Sequence, residues 1–227
     1  MNSPLPPSVW IVVPVLNEGD IIQSVISEIA SSGFGNIVVV DDGSSDDTFV
    51  RASEIGGVTA VRHLLNRGKG AAVRTGIEAA RLSGADVVVT MDGDGQHDPA
   101  DISTMVKLIA EGNDVVLGSR LKDHTGMPPY KVIHNRIGNL IVMLLYGLWV
   151  TDSQSGFRAY SKHALSKIRT SSDRFAYDSE VIREIRRNHL TFVEIPIKVR
   201  YTEYSMNKQG RMTIGKGIRT FIRMIIS

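Results

Sequence analysis

Apolar residues in this chain arrive in short β-branched runs separated by stretches of helical period. Val9–Val15 is the first run, and Ile21, Ile22, Val25, Ile26 and Ile29 then recur at helical spacing until Gly33 and Gly35 close the segment. A second buried strand is predicted over 37–40, after which Asp46, Asp47 and Thr48 open another helix. The same reading gives a strand over 58–63, a helix over 70–82, a strand over 86–91, a helix over 99–111 and a strand over 114–118. Such alternation predicts an α/β fold, a mostly parallel sheet with helices on both faces. After Arg120 the rhythm breaks. Residues 121–130, with Gly126, Pro128 and Pro129, read as a mobile loop. Two apolar helices and a last strand over 192–201 are then expected around the polar segment 151–158.

The polar residues gather where an open α/β sheet binds ligands, at the carboxyl ends of the strands. Asn17 and Glu18 follow the first strand, Asp41 and Asp42 the second, Asn66 the third, Asp92 and Asp94 the fourth, and Arg120 the fifth. The segment Asp92-Gly93-Asp94-Gly95-Gln96 sets two carboxylates and an amide at alternate positions after a buried strand. Those oxygens suit a hard divalent cation, Mg²⁺ or Mn²⁺, whose shell a substrate diphosphate and water would complete. Asp92 and Asp94 can equally cap the turn and the helix after it.

At 227 residues and 42% hydrophobic, the chain has enough material for one domain with a full core. Cysteine is absent, which excludes disulfides and thiolate metal sites and fits a reducing compartment. No basic-then-apolar leader precedes the first strand, and the apolar stretch 137–150, interrupted by Gly138, Asn139 and Gly147, is shorter than the ~20 residues a spanning helix needs. These features predict a soluble or peripheral protein. The net charge of +2 is uneven: from His189 to Ser227 seven basic residues stand against Glu194 and Glu203, a local +5 that leaves −3 for the rest. A basic end on a mildly acidic body suggests an anionic partner, phosphate groups or a membrane surface, or else a solvated basic face.

Two nucleotide-binding patterns are excluded. Pro14-Val15-Leu16-Asn17-Glu18 stands where a dinucleotide fold carries Gly-x-Gly-x-x-Gly. Asn66-Arg67-Gly68-Lys69-Gly70 lacks the leading glycine and the Ser/Thr of a P-loop. Together with Asp41-Asp42-Gly43-Ser44, the segment Asp92 to Pro99, Gly118-Ser119-Arg120 and Asp152-Ser153-Gln154-Ser155-Gly156-Phe157-Arg158, these motifs resemble the family 2 glycosyltransferases of GT-A fold. The likeness extends along nearly the whole chain and is closest to the branch that charges polyprenyl or dolichyl phosphate with mannose or glucose.

The resemblance implies a single GT-A domain over 1–227 and an inverting, metal-dependent transfer of a hexose from a nucleotide-diphosphate sugar, of the GDP-mannose or UDP-glucose class, to a polyprenyl phosphate. It casts Pro14, Asn17, Glu18, Asp41 and Asp42 as the base and ribose pocket, with Gly43 letting the backbone come close. Lys69 and Arg67 become candidates for the diphosphate, Arg67 being equally readable as a solvated surface residue. Asp92, Asp94 and Gln96 become the Mg²⁺ or Mn²⁺ site, with His97 either joining it or serving as a structural donor. Arg120 and Arg136 match the basic residues that relatives use for the lipid phosphate, and Arg200 arrives on the late strand as a further cation. Asp152 lies in the segment that closes over the sugar: a base for a hydroxyl acceptor, or a residue orienting the sugar or holding Arg158. An anionic phosphate needs no base. The chain departs from the eukaryote-like pattern after the late strand, reading Tyr201-Thr202-Glu203-Tyr204-Ser205-Met206-Asn207-Lys208 where that branch has Gly-x-Ser-Lys. The departure leaves open the mannose-specific assignment and which residue clamps the diphosphate.

Residues 205–227 form a basic amphipathic pattern, with Ile218, Phe221, Ile222, Ile225 and Ile226 on one face and Lys216, Arg219 and Arg223 on another. Such a segment suits the headgroup region of an anionic bilayer, or covers the domain's own core; residues 137–150 are a second candidate contact. The expected location is the cytoplasmic face of a membrane, with a small membrane-protein partner possible and no role for nucleic acid. A transferase acting on a hydroxyl of a soluble glycan, with Asp152 as base, and a non-catalytic nucleotide-sugar binding subunit are the alternative readings.

Overall fold

The computed structural model describes residues 7–123, 125, 127, 129–174 and 176–200. The basic amphipathic segment 205–227 lies outside the described residues. Five strand–helix pairs come first: β1 (Val9–Val15), α1 (Ile22–Ser31), β2 (Ile37–Asp41), α2 (Thr48–Ser53), β3 (Val58–Arg62), α3 (Lys69–Leu82), β4 (Val87–Thr90), α4 (Asp101–Ala110), β5 (Val115–Ser119) and α5 (Pro129–Tyr146). Then follow β6 (Arg158–Ser161), α6 (Lys162–Lys167), α7 (Ala176–Arg187) and β7 (Phe192–Pro196). The seven strands make one sheet in the order β3-β2-β1-β4-β6-β5-β7.

Successive strand residues point to opposite faces, so a strand buried on both sides feeds two cores. Ile11, Val13 and Val15 of β1, with Ile37 and Val39 of β2, pack under α1 and α4 through Ile22, Ile26, Ile29, Ile102 and Met105. Val12, Val38, Val40 and Val88 face the other way, toward Ala72 and Val73 of α3 and Val181 and Ile182 of α7. That is the expected mostly parallel sheet with helices on both faces.

Four expectations need correction. β6 is an extra strand, and it runs antiparallel between β4 and β5, with Thr90 opposite Arg158 and Leu117 opposite Arg158. A strand of opposite direction starts at the edge where its neighbours end, so β6 brings segment 151–157 over the carboxyl ends of β4 and β5. The last strand stops at Pro196, short of the expected end, and beyond it, among the described residues, only Val199 bridges, to His97. The stretch read as a loop up to Tyr130 gives way at Pro129 to α5. Of the two helices expected to be apolar, α7 is not: its buried face carries Asp178, Glu180 and Glu184 beside Val181, Ile182 and Ile185.

Candidate active site

The turn after β1 and the loop after β2 are tied to each other. Asn17 takes a left-handed backbone, φ 55°, and its amide donates to Ser44 Oγ at 2.8 Å while its side-chain oxygen accepts from Ser45 N at 2.9 Å. Glu18 is buried, its amide donating to Thr48 Oγ1 at 2.9 Å. Asp41, fully buried, accepts from the amide and hydroxyl of Ser44 and faces Arg62 Nε at 3.2 Å. Asp42 accepts from His63 Nδ1 at 2.7 Å, Arg67 N at 3.0 Å and Gly68 N at 2.6 Å. These carboxylates therefore stitch the floor of the cleft together through donors of the protein itself. Gly43 admits the 65–66 backbone: with φ +79°, a Cβ there would lie 2.8 Å from Asn66 N. Pro14, on β1, is half-buried beside this network.

At the end of β4 the charges concentrate. Lys69, the first residue of α3, sets its ammonium 2.7 Å from Asp92 Oδ1 and 4.0 Å from Asp178 Oδ2. Burial alone would lower the Lys69 pKa, but the Asp92 and Asp178 carboxylates reverse this and hold it well above the ordinary lysine value. Burial likewise works against the Asp92 carboxylate, and Lys69 and His97 overcome it, holding its pKa far below the usual range. The turn itself is closed by Gln96 N donating to Asp94 Oδ1 at 3.1 Å. Asp94 is pushed the other way, its pKa raised by burial and then by the negative charge of Asp92. His97 is buried, its Nε2 3.5 Å from Asp92 Oδ2 and its ring 4.9 Å from that of Phe157.

Two neighbouring carboxylates that repel one another make a donor set whose strain a divalent cation relieves, so these residues fit Mg²⁺ or Mn²⁺. Among the described residues no group of three or more His, Cys, Asp or Glu converges as ligands. A cation there would rest on Asp92, Asp94, the Gln96 amide and a substrate phosphate.

The third cluster comes from β5 and segment 151–158. Arg120 grips Asp152 with Nε at 2.7 Å, Nη2 at 2.8 Å and its own amide at 3.0 Å. Asp152 is buried and also accepts from Gln154 N at 3.3 Å. Burial alone would raise its pKa; the Arg120 guanidinium and the amide donors bring it below the usual carboxylate range. Asp152 thus holds Arg120 and not Arg158, the partner in one of its alternative readings. Arg158 is fully buried and donates instead to Ser153 O at 2.8 Å and Asp178 O at 3.0 Å. Arg136 is exposed on α5. Arg200 pairs with Glu28 of α1 at 2.5 Å and Asp98 at 3.1 Å, and its amide donates to Gln96 O at 2.8 Å, so it braces the acidic turn from outside. Asp178 had not been singled out from sequence. Its one signal was a carboxylate at a position of α7 whose helical phase is that of Val181, Ile182 and Ile185.

A mostly parallel sheet with one antiparallel strand folded back over an acidic turn defines a GT-A nucleotide-diphospho-sugar transferase fold. Within that class the chain belongs to glycosyl transferase family 2, whose profile matches residues 10–169, and is a glycosyltransferase. It is 35% identical over 96% of its length, and 95% of the relative's, to a UDP-N-acetylglucosamine–dolichyl-phosphate N-acetylglucosaminyltransferase of Methanococcus voltae. It is 27% identical to a polyprenol monophosphomannose synthase of Mycolicibacterium smegmatis, over 90% of this chain and 82% of that one. Among solved structures, glucosyl-3-phosphoglycerate synthase from Mycobacterium tuberculosis with Mn²⁺, UDP and phosphoglyceric acid matches 91% of this chain and 74% of that chain at a TM-score of 0.67 and 21% identity, a likeness of fold.

Proposed function

We propose that this glycosyltransferase moves a hexosyl unit from a nucleoside-diphosphate sugar to a polyprenyl phosphate, with inversion and with a divalent cation at Asp92 and Asp94. The reading is carried by two ion pairs, Arg120 with Asp152 and Lys69 with Asp92. The first presents a cation fixed for an anionic nucleophile, the second a cation and a carboxylate which, with Asp94, suit a departing diphosphate. A phosphate oxygen attacks the anomeric carbon, the bond from that carbon to the diphosphate oxygen breaks, and no proton needs to move. A bound cation would neutralise charge on the leaving group. Lys69 adds fixed positive charge beside it, and Arg120, locked by Asp152, orients the acceptor phosphate. Asn17, Glu18, Asp41 and Asp42 shape the base and ribose end through the loops they tie. The same pairing weighs against the hydroxyl-acceptor reading, because both Asp152 oxygens accept from Arg120.

A lipid acceptor calls for a membrane-facing surface, and α5 supports one. Tyr130, Ile133, Ile137, Leu140 and Leu144 recur along one face of it and are exposed, Leu144 at 71%, with Trp149 just beyond. α5 also touches the acceptor side of the cleft, since Asn139 Oδ1 accepts from the amide and hydroxyl of Ser153 at 2.9 Å. Among the described residues no helix is long and apolar enough to cross a membrane. Donor identity is the open specificity: mannose and glucose follow from the family branch, and the Methanococcus voltae relative adds N-acetylglucosamine. Incubation with labelled GDP-mannose, UDP-glucose or UDP-N-acetylglucosamine and a polyprenyl phosphate should give one labelled lipid product; failure of all three to label lipid would reject the reading.

A further inference from the structure

Resting on the cation site proposed above, we infer that Lys69 and a divalent cation compete for Asp92, and that Asp178 is the positioning residue that takes Lys69 when the cation binds. Asp92 Oδ1 receives the Lys69 ammonium at 2.7 Å, and Oδ2 faces His97 at 3.5 Å. A divalent cation that takes Asp92 Oδ1 displaces the closer and charged one of these contacts, the ammonium. An ammonium that is only one-quarter exposed is costly to strand without a carboxylate.

Asp178 supplies the second one. Its Oδ2 lies 4.0 Å from Lys69 Nζ, so a movement of about 1 Å makes a full charge-assisted bond. Its Oδ1 is buried with no hydrogen-bond partner, and Arg158 stands 3.6 Å from it, close enough to fix the carboxylate but not to satisfy it. The path between the two carboxylates is left open by Gly156. A Cβ there would collide with Lys69 Nζ and lie 2.8 Å from Asp92 Oδ1. Lys69 therefore holds Asp92 in place before the cation arrives and, once moved to Asp178, remains beside the diphosphate as a second cation.

The test is Mn²⁺ binding, followed by the electron paramagnetic resonance of the free ion without nucleotide, in the parent, Lys69→Met, Asp178→Asn and the double variant. Lys69→Met should tighten Mn²⁺ binding about tenfold. Asp178→Asn should weaken it several-fold, and that weakening should vanish in the Lys69→Met background. If Asp178→Asn costs as much with Met at 69 as with Lys, Asp178 acts only through its charge, and the inference is overturned. Unchanged or weaker binding in Lys69→Met overturns it as well, whether or not Asp178→Asn folds. Should neither parent nor Lys69→Met bind Mn²⁺, the cation site itself fails; binding by Lys69→Met alone would support the competition.

Discussion

Both oxygens of Asp152 accept from Arg120, and its carboxyl is held below the usual range, so it is ionised throughout the neutral region. The stability it provides is fully present above the unfolded carboxyl value of about 4 and is lost as pH falls through its lower folded value. Asp152→Asn should therefore cost about 2 kcal/mol in urea melts at pH 7, with the gap to the parent narrowing below about pH 4. The variant's rate should fall while its pH–rate profile between 6 and 8 keeps the parent's shape; loss of a basic limb would restore Asp152 as a proton acceptor. Asp94 has the opposite sign. Its folded pKa is raised, so ionising it at neutral pH costs the native state stability. Asp94→Asn should leave the metal-free Tm unchanged or higher, yet lower transfer by about 100-fold or more and abolish Mn²⁺ binding. Most of these residues were legible in the sequence because each follows a strand. What each side chain grips was not, and Asp178 escaped notice because a carboxylate on a helix reads as solvated until its phase is known to be buried.

At the scale of elements, the parallel β–α pairs were legible because each strand is a continuous β-branched run closed by glycine or polar residues. β6 was not. Its four residues begin with Arg158 and end with Ser161, and it is a strand only because β4 and β5 flank it. α5 was read as apolar, as it is, but the periodicity could not say which apolar face would stay outside. α3 provides a check on packing. Gly76 lies where a Cβ would collide with Val12 Cγ1 of β1, whereas the obstacles at Gly156 are the side-chain tips of Lys69 and Asp92. Gly76→Ala should lose about 1 kcal/mol net, overpacking outweighing better helix propensity, and lower Tm by roughly 2–4 °C. Gly156→Ala should leave Tm nearly unaltered and lower kcat by displacing the ammonium. A Tm loss at 156 as large as at 76 would place Gly156 in the packing rather than in the chemistry.

For the molecule as a whole, the account joins a polar cleft to an apolar face on α5. Replacing Ile137 and Leu144 together by Asp should reduce co-sedimentation with anionic lipid vesicles several-fold while leaving transfer to a short-chain, water-soluble acceptor phosphate within about twofold of the parent. Undiminished sedimentation would remove α5 from the membrane contact. The central claim is that the nucleophile is a phosphate, positioned by Arg120 and needing no base. It is tested most directly by offering the enzyme its labelled sugar nucleotide with either a polyprenyl phosphate or the same polyprenol lacking phosphate, and measuring kcat/KM for each. The account predicts transfer to the phosphate with inversion at the anomeric carbon and none measurable to the alcohol. Comparable transfer to the alcohol would contradict it.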